Sequence, residues 1–262
     1  MQFDKEHWKE SDINIDSLWI IGPRAKGGKR ENVYHGNFVP QIPDNLIRRY
    51  TDEGDVVLEP FMGSGTTLYE CERLKRNYIG FDINQEIVEH VKARMDDCAS
   101  IKYYIHNADS TEKSVSQPLI KDSLKALGKH RVDFIISHPP YWNIIKFTEK
   151  SSDLSNITDL KVFLDKFVDS MNNSVELLRS GKYFALVVGD VYRDGEVVPL
   201  GFYTMYAIKK NICCKLKGVV VKDIVGNKGK QGTEVLWRYR TLKSDTFIFK
   251  HEYIFVFKKT GK

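Results

Sequence analysis

Val56-Val57-Leu58-Glu59-Pro60-Phe61-Met62-Gly63-Ser64-Gly65-Thr66-Thr67 contains, in order, a short apolar run, a turn with two glycines and the start of a helix. An apolar run that ends in a carboxylate is typical of a buried parallel strand. Gly63 and Gly65 allow the backbone to turn tightly and to approach a ligand without a Cβ in the way. The predicted helix begins at Thr66, and its free N–H groups can receive an anionic or polar ligand group. These elements predict a binding loop at the carboxyl edge of an open α/β sheet.

Two common glycine-rich loops do not fit this stretch. A phosphate-binding P-loop requires a lysine after its second glycine, and Gly65 is followed by threonine. The dinucleotide fingerprint requires a third glycine where this chain has Leu68. The next predicted strand, Tyr78-Ile79-Gly80-Phe81-Asp82, also ends in a carboxylate. An acidic side chain at that place can accept hydrogen bonds from both hydroxyls of a ribose.

A third strand end carries a different signal, because Asp133-Phe134-Ile135-Ile136-Ser137 leads into His138-Pro139-Pro140-Tyr141-Trp142. A pair of prolines fixes the backbone, and its missing N–H groups leave neighbouring carbonyls free as acceptors. Rigid acceptors beside a stacking aromatic side chain suit a flat ligand with an amino group, such as an extruded base. A simple Pro-Pro turn with a core tyrosine is the alternative interpretation.

Taken together, these stretches resemble conserved motifs of the DNA amino-methyltransferases. Residues 59–67 are similar to motif I, residues 138–141 to motif IV, and residues 35–43 to the motif X that precedes motif I in some of these enzymes. The resemblance implies an α/β chain with the class I (Rossmann-like) methyltransferase fold, in which a central, mostly parallel sheet has an antiparallel edge strand. Motif IV of this family usually begins with Asp, Asn or Ser, and His138 departs from that pattern.

The resemblance also implies S-adenosylmethionine as the cofactor. Motif I would shape the pocket around its amino-acid portion, His35 would lie beside its methionine end, and Asp82 would bind its ribose. Asp109 would accept the adenine amino group, although a cap for the following segment explains that residue equally well. The candidate cofactor-binding residues are therefore Glu59, Pro60, Phe61, Gly63, Gly65, Thr66, Asp82, Asp109 and His35.

The candidate catalytic residues are His138, Pro139, Pro140 and Tyr141. An exocyclic amino nitrogen shares its lone pair with the base ring and is a poor nucleophile. Two fixed acceptors for its hydrogens can pull it toward a tetrahedral shape and direct the lone pair at a methyl group. We expect the Pro139 carbonyl and a neutral His138 ring to be these acceptors. An imidazolium has no acceptor, so activity should fall as pH drops through roughly 6 to 7.

The motifs predict site-specific methylation of double-stranded DNA at the exocyclic amino group of a flipped base. Cytosine N4 is slightly favoured over adenine N6, because Tyr141-Trp142-Asn143 follows the prolines and no carboxylate begins the motif. The alternatives are an RNA amino-methyltransferase, a protein glutamine methyltransferase, or a DNA-binding protein with a decayed catalytic pocket. All of these would keep the same fold, so the fold alone does not decide between them.

Segment 226–250 has the composition of a nucleic-acid contact surface, because cations and aromatic residues alternate in it. A solvated insertion is the alternative interpretation. The N-terminal arm, residues 1–31, is a second possible DNA contact. Residues 143–158 are long enough to form a flap over the site, with a plain surface loop as the default interpretation. The candidate DNA-binding residues are Lys228, Lys230, Arg238, Arg240 and Trp142, and Trp142 is the alternative to Tyr141 as the aromatic residue that stacks on the base.

Composition sets wider bounds. The 262 residues suit one catalytic domain, and a net charge of +5 permits a nucleic-acid partner without requiring one. The four cysteines lack the spacing of metal ligands, which predicts reduced thiols, a cytoplasmic protein and no metal site. No apolar run is long enough for a membrane span. Little sequence is left for a large recognition domain, so we expect a short recognition sequence read by a monomer or homodimer. A cognate restriction endonuclease is a candidate partner.

Overall fold

The structure is a computed structural model that describes residues 8–29, 36–224 and 234–261. His35, Lys228 and Lys230 lie outside the described residues, as do parts of the N-terminal arm and of the basic segment. The expectations for these three side chains therefore stay predictions.

Ten strands and seven α-helices occur in the described part of the chain. The strands are β1 (Leu18–Trp19), β2 (Val56–Glu59), β3 (Asn77–Asp82), β4 (Tyr103–Asn107), β5 (Val132–Ser137), β6 (Leu178–Val188), β7 (Val191–Arg193), β8 (Glu196–Val198), β9 (Cys214–Asp223) and β10 (His251–Lys259). The helices are α1 (Gln41–Tyr50), α2 (Thr66–Leu74), α3 (Gln85–Arg94), α4 (Lys113–Ala126), α5 (Leu160–Val175), α6 (Leu200–Asn211) and α7 (Glu234–Lys243).

The central sheet has eight strands in the order β1-β9-β10-β6-β5-β2-β3-β4. The five strands from β6 to β4 pair in parallel. Strand β10 pairs antiparallel with both β6 and β9, and the short β1 lies outside β9. This confirms the α/β fold with a mostly parallel sheet. The antiparallel pair of β9 and β10 lies toward one edge of the sheet, and β1 is the strand at the edge itself.

Apolar side chains cover both faces of the sheet. Successive side chains of a strand point to opposite faces, and the residues of β2 follow this rule: Val56 and Leu58 belong to one core cluster, and Val57 belongs to the other. The first cluster packs against α4, α5 and α6, and the second packs against α1, α2 and α3. Because both faces are covered, the loops at the carboxyl edge are the part of the parallel sheet left open for a ligand.

Three features differ from what the residue pattern predicts. The apolar spacing from Leu160 predicts a helix that ends at Ser180-Gly181, yet α5 ends at Val175 and those two residues lie in β6. Pairing with β5 from Leu178 onward explains this, because an apolar residue at helical spacing fits a strand equally well. The β7–β8 hairpin and helix α7 were not predicted.

No helix in the described ranges is long and apolar enough to cross a membrane.

Candidate active site

A cavity of about 1220 Å³ lies where the loops after β2, β3, β4 and β5 converge. It brings together residues from motif I, from the two following strand ends and from motif IV. The predicted site residues that line it are Glu59, Pro60, Phe61, Gly63, Thr66, Asp82, Asp109, His138, Pro139, Pro140 and Tyr141.

The carboxylate of Asp82 links two of the converging loops. Its Oδ2 accepts a 2.8 Å hydrogen bond from the N–H of Gly63, and its Oδ1 accepts one of 2.8 Å from the N–H of Asn84. Burial raises the pKa of Asp82 to about 6. Each carboxylate oxygen has more than one lone pair, so Asp82 keeps acceptor capacity for a ligand.

Gly65 has a packing role and does not line the cavity. Its φ of 82° is in the left-handed region at the start of α2. A Cβ at this position would lie 2.9 Å from Cγ1 of Val91 and 3.1 Å from Cζ of Tyr69. Gly65 therefore allows α2 to start close against α3. Because Gly65 does not line the cavity, its predicted contact with the cofactor stays a prediction.

Glu59 is buried at the inner end of the cavity, with 1% of its surface exposed. Its Oε1 accepts a 2.6 Å hydrogen bond from the hydroxyl of Thr67, and its Oε2 accepts one of 2.5 Å from the hydroxyl of Tyr78. Burial raises the pKa of Glu59 to about 8. The side chain is therefore mostly a neutral acid at pH 7, and a cationic ligand group beside it would favour the carboxylate.

Asp109 lines the cavity and shapes the turn that precedes α4. Its Oδ1 accepts a 2.8 Å hydrogen bond from the N–H of Thr111, so it shapes a turn, and the residue also lines the cavity. It does not cap a helix directly, because α4 begins at Lys113 after Glu112.

The carbonyls of the two prolines in the motif IV loop differ in their hydrogen bonding. The N–H of Trp142 donates a 2.9 Å hydrogen bond to the carbonyl of Pro140. Within the described ranges, no donor is bonded to the Pro139 carbonyl. The Pro139 carbonyl therefore keeps its acceptor capacity, and its contact with a substrate amino group stays a prediction.

Trp142 occupies a different place from the one expected of a base-stacking residue. Its side chain is 7% exposed, belongs to the apolar core and does not line the cavity. Its φ of 54° turns the chain inward after the prolines, and the guanidinium of Arg193 lies 5.1 Å from the ring centroid. Because the indole is buried in the core, we do not retain Trp142 as a DNA contact.

His138 is held by the aromatic residue of its own motif. Its Nε2 lies 3.2 Å from the hydroxyl of Tyr141, and the two rings meet edge to face with centroids 5.5 Å apart. Burial lowers the pKa of His138 to about 4. The imidazole is therefore neutral, as an acceptor must be. This corrects the expected pH dependence, because protonation of His138 moves from roughly pH 6 to 7 down to about pH 4.

Two charged residues of the site were missed from the sequence. Lys222 on β9 and Glu252 on β10 are direct cross-strand partners, with Nζ 3.0 Å from Oε1, and both line the cavity. Tyr141 donates a 2.9 Å hydrogen bond to Oε2 of Glu252. The sequence shows only that a charged residue occurs in each of two β-rich segments. It does not reveal that Lys222 and Glu252 face each other across the two strands.

The segment after motif IV covers one side of the cavity. Ile144, Phe147 and Asp153 line it, and the ammonium group of Lys150 donates a 2.7 Å hydrogen bond to the carbonyl of Ile83. This position agrees with a flap over the site. Arg24 and Lys26 of the basic N-terminal loop also line the cavity.

The described part of the basic segment forms α7, with Arg238 and Arg240 exposed. The guanidinium of Arg240 lies 5.7 Å from the ring centroid of Trp237. Neither arginine lines the cavity. The chain after α7 is attached to the β7–β8 hairpin, because the hydroxyl of Tyr192 bonds both the N–H and the carbonyl of Phe247.

Comparison with known proteins finds similarity over part of this chain. Residues 1–93 match the family model N6_N4_Mtase, described as DNA methylase. The type II methyltransferase M.HpaI of Haemophilus parainfluenzae is 47% identical over 112 residues, which cover 35% of this chain and 36% of that protein. These matches support the N6/N4 DNA amino-methyltransferase family.

A second relative shows the same extent of likeness. The type II methyltransferase M.MjaII of Methanocaldococcus jannaschii is 34% identical over 91 residues, which cover 34% of this chain and 17% of that protein. The chain thus matches between about a sixth and about a third of the length of these two curated relatives.

Solved structures confirm the Rossmann-like methyltransferase fold. TrmN from Thermus thermophilus matches with a TM-score of 0.52 at 17% identity, over 86% of this chain and 50% of that one. A SAM-dependent methyltransferase from Methanosarcina mazei matches with a TM-score of 0.51 at 10% identity, over 83% and 98% of the two chains. The [4+2]-cyclase SpnF has a TM-score of 0.52 at 11% identity, over 85% and 82%. A cyclase with this fold shows that the fold leaves the reaction open.

Proposed function

We propose that this protein transfers a methyl group from S-adenosylmethionine to the exocyclic amino nitrogen of a base in double-stranded DNA. One observation carries the proposal: a single cavity joins the motif I loop with Asp82 at one side to the Pro139 carbonyl and neutral His138 at the other. The match of residues 1–93 to the DNA methylase family model and the similarity of about a third of the chain to type II methyltransferases support DNA as the substrate. We favour cytosine N4 slightly over adenine N6.

The residues around the cavity fit the cofactor. Asp82 keeps lone pairs for the ribose hydroxyls, and Asp109 has an oxygen outside its turn bond for the adenine amino group. Glu59, a buried acid, would lie near the cofactor's ammonium group. The cofactor supplies a methyl group on a positively charged sulfur, which is already a good leaving group.

The protein's contribution to the chemistry is to hold and orient the amino nitrogen. The Pro139 carbonyl and the His138 ring would accept its two hydrogens and direct its lone pair. Such fixed acceptors act through positioning and electrostatics and need no rearrangement during the reaction. Tyr141 is bound on one side by His138 and on the other by Glu252, which holds the loop in place.

The base must leave the DNA stack to reach this cavity, because enzymes that act on a base inside a duplex extrude it. Lys26 at the cavity and the exposed Arg238 and Arg240 on α7 are the described cations that we assign to the phosphate backbone. Lys228 and Lys230 belong to the same proposed surface.

Mass spectrometry of nucleosides tests the proposal. Unmethylated duplex DNA is incubated with the protein and isotope-labelled S-adenosylmethionine, then digested. Labelled N4-methylcytosine or N6-methyladenine is the expected result and identifies the base. A product that is absent with DNA but present with RNA would overturn the assignment of DNA. Absence of product on both, with the cofactor bound, would overturn methyl transfer to a nucleic acid.

A further inference from the structure

A continuous chain of polar contacts runs from the sheet to the motif IV histidine. Lys222 Nζ lies 3.0 Å from Glu252 Oε1, and Glu252 Oε2 accepts a 2.9 Å hydrogen bond from the hydroxyl of Tyr141. The same hydroxyl oxygen lies 3.2 Å from Nε2 of His138. The chain therefore connects a buried ion pair on β9 and β10 to an imidazole that lines the cavity.

The number of available hydrogens decides which way each bond runs. A tyrosine hydroxyl has one hydrogen, and Tyr141 donates it to Glu252. The contact with His138 then requires the ring to donate from Nε2 and the hydroxyl oxygen to accept. A neutral imidazole carries one hydrogen, so its Nδ1 is left with the free lone pair.

The ion pair of Lys222 and Glu252 is buried in the protein. Lys222 is 4% exposed and Glu252 is 7% exposed. Removing two charges from water often costs as much free energy as their attraction returns, so a buried ion pair is weak evidence for stability. This pair also lines the cavity. Its position at the site, beside Tyr141, indicates a role in organising the site.

Lys222 offsets the effect of the Glu252 charge on the pKa of His138. Glu252 favours the protonated ring and Lys222 disfavours it, so their effects on the charge of the imidazole oppose each other. Glu252 can still influence His138 by setting the direction of the hydrogen bonds made by the Tyr141 hydroxyl. The pair therefore acts on the tautomer of the ring more than on its charge.

We propose that Glu252, anchored by Lys222, is a positioning residue that acts through Tyr141 to fix His138 as the Nε2–H tautomer. The lone pair of Nδ1 is then the acceptor for the substrate amino group. The second statement rests on the proposed function, whereas the first concerns the protein alone. Without Glu252 the hydroxyl of Tyr141 is free to donate to Nε2, which would place the hydrogen of the ring on Nδ1 and remove that acceptor.

Nitrogen NMR of the full chain, labelled with ¹⁵N in histidine, measures the tautomer without any reaction. The His138 signals are identified by their loss in His138→Gln. We expect one protonated and one unprotonated nitrogen, with the hydrogen on Nε2. In Tyr141→Phe, the two signals should move toward an average because both tautomers become populated. A hydrogen on Nδ1 in the natural protein, or unchanged signals in Tyr141→Phe, would overturn the proposal.

Tyr253→Phe is a matched control, because it removes a similar contact away from the cavity. The hydroxyl of Tyr253 lies 3.1 Å from Nε2 of His251 and donates a 3.2 Å hydrogen bond to Oδ2 of Asp190. This variant should change the signals of His251 and leave those of His138 as they are. A change at His138 of the size seen in Tyr141→Phe would show that the tautomer responds to loss of packing and would overturn the proposal.

Two double variants remove the buried charges while keeping or removing the acceptor. Glu252→Gln with Lys222→Met retains an amide oxygen for the Tyr141 hydroxyl, so the tautomer should stay that of the natural protein. Glu252→Leu with Lys222→Met removes that acceptor, so kcat should fall roughly tenfold to a hundredfold, with KM for DNA nearly unchanged. Equal tautomers in both double variants would overturn the proposal.

The two proposals fail in different ways. If the natural protein methylates no nucleic acid but shows the Nε2–H tautomer that Tyr141→Phe disturbs, the proposed function is wrong and the positioning role stands. If it methylates DNA and His138 carries its hydrogen on Nδ1, the positioning role is wrong and the proposed function stands.

Discussion

The backbone N–H of Gly63 donates a 2.8 Å hydrogen bond to Oδ2 of Asp82. The glycine turn after β2 is thus held by the carboxylate that ends β3. The N–H of Met62 donates a second bond, of 2.7 Å, to the carbonyl of Phe81. These two bonds join the strand ends to each other and fix the shape of this side of the cavity through the protein's own contacts.

Asp82→Asn should weaken this arrangement. The carboxylate accepts two backbone N–H groups, from Gly63 and Asn84, whereas an amide places an NH₂ group against one of them. We expect unfolding to become easier by about 1 to 3 kcal/mol, as for a buried donor that has lost its acceptor. Cofactor affinity should fall roughly tenfold or more. Urea unfolding and calorimetric titration measure the two effects, and unchanged values in both would contradict the assignment.

Cofactor binding should release a proton from Glu59. Burial raises its pKa to about 8 in the free protein, so the side chain is mostly neutral at pH 7. An ammonium group beside it favours the carboxylate, and up to about one proton per site should leave on binding. Calorimetric titration in two buffers of different ionisation enthalpy measures this number. Glu59→Gln is the control and should release none through this group, whereas equal proton release by both proteins would remove Glu59 from the role.

The sequence was informative where the signal was local. The strand, glycine turn and carboxylate of residues 56–82 are close together in the chain, and each residue type has few alternative uses at such a place. The Pro-Pro pair likewise fixed the shape of motif IV without reference to the rest of the fold. Both stretches lie where the pattern placed them, at the carboxyl edge of the sheet.

The rest depended on contacts between distant parts of the chain. Tyr141 and Glu252 are 111 positions apart, and the pairing of Glu252 with Lys222 depends on the register of β9 and β10. Trp142 could stack on a base or fill the core, and only the path of the backbone after the prolines decides which. The pKa of His138 depends on how deeply the folded protein buries the ring, which no spacing of residues reveals.

His138 should make stability depend on pH in a defined window. Burial lowers its pKa from 6.5 to about 4 in the folded protein. Between those values the unfolded chain binds a proton that the folded protein does not, so His138 makes unfolding easier as pH falls from about 6.5 toward 4. Urea unfolding at pH 7 and pH 5 should show a smaller loss in His138→Asn than in the natural protein. An equal loss would mean that the ring is not held neutral.

The low pKa of His138 also predicts how the rate of methyl transfer depends on pH. Because His138 stays neutral down to about pH 4, its acceptor role predicts a rate that is flat from roughly pH 5.5 to 8 as far as this residue is concerned. The initial rate is measured at saturating cofactor and DNA across this range. A fall centred between about pH 6 and 7 that disappears in His138→Asn would show that the ring titrates near its ordinary value.

Gly189→Ala should disturb Tyr141 and spare the fold. A Cβ at Gly189 would lie 2.9 Å from Cε2 of Tyr141, whose hydroxyl is bound to Glu252. The ring must shift, so we expect kcat to fall roughly tenfold, consistent with small displacements at a reacting centre. Gly218→Ala is the matched control, because its nearest neighbour would be Cβ of Val256 at 3.9 Å. Equal kcat values for the two variants would mean that the position of Tyr141 does not matter.

Arg238 and Arg240 should contribute to DNA affinity through charge. Each is exposed on α7, and a cation that neutralises a phosphate releases a counterion on binding. Replacing either by alanine should weaken binding similarly across sequences and reduce the slope of log K against log salt by about 1. Lys125→Ala is the control, since this exposed lysine lies in the last turn of α4, which leads into the first residues of β5, whereas the cavity is lined by residues that follow the last residues of β5. Binding titrations at several salt concentrations measure the slope, and an equal slope in the α7 variants and the natural protein would show that this helix does not contact the phosphate backbone.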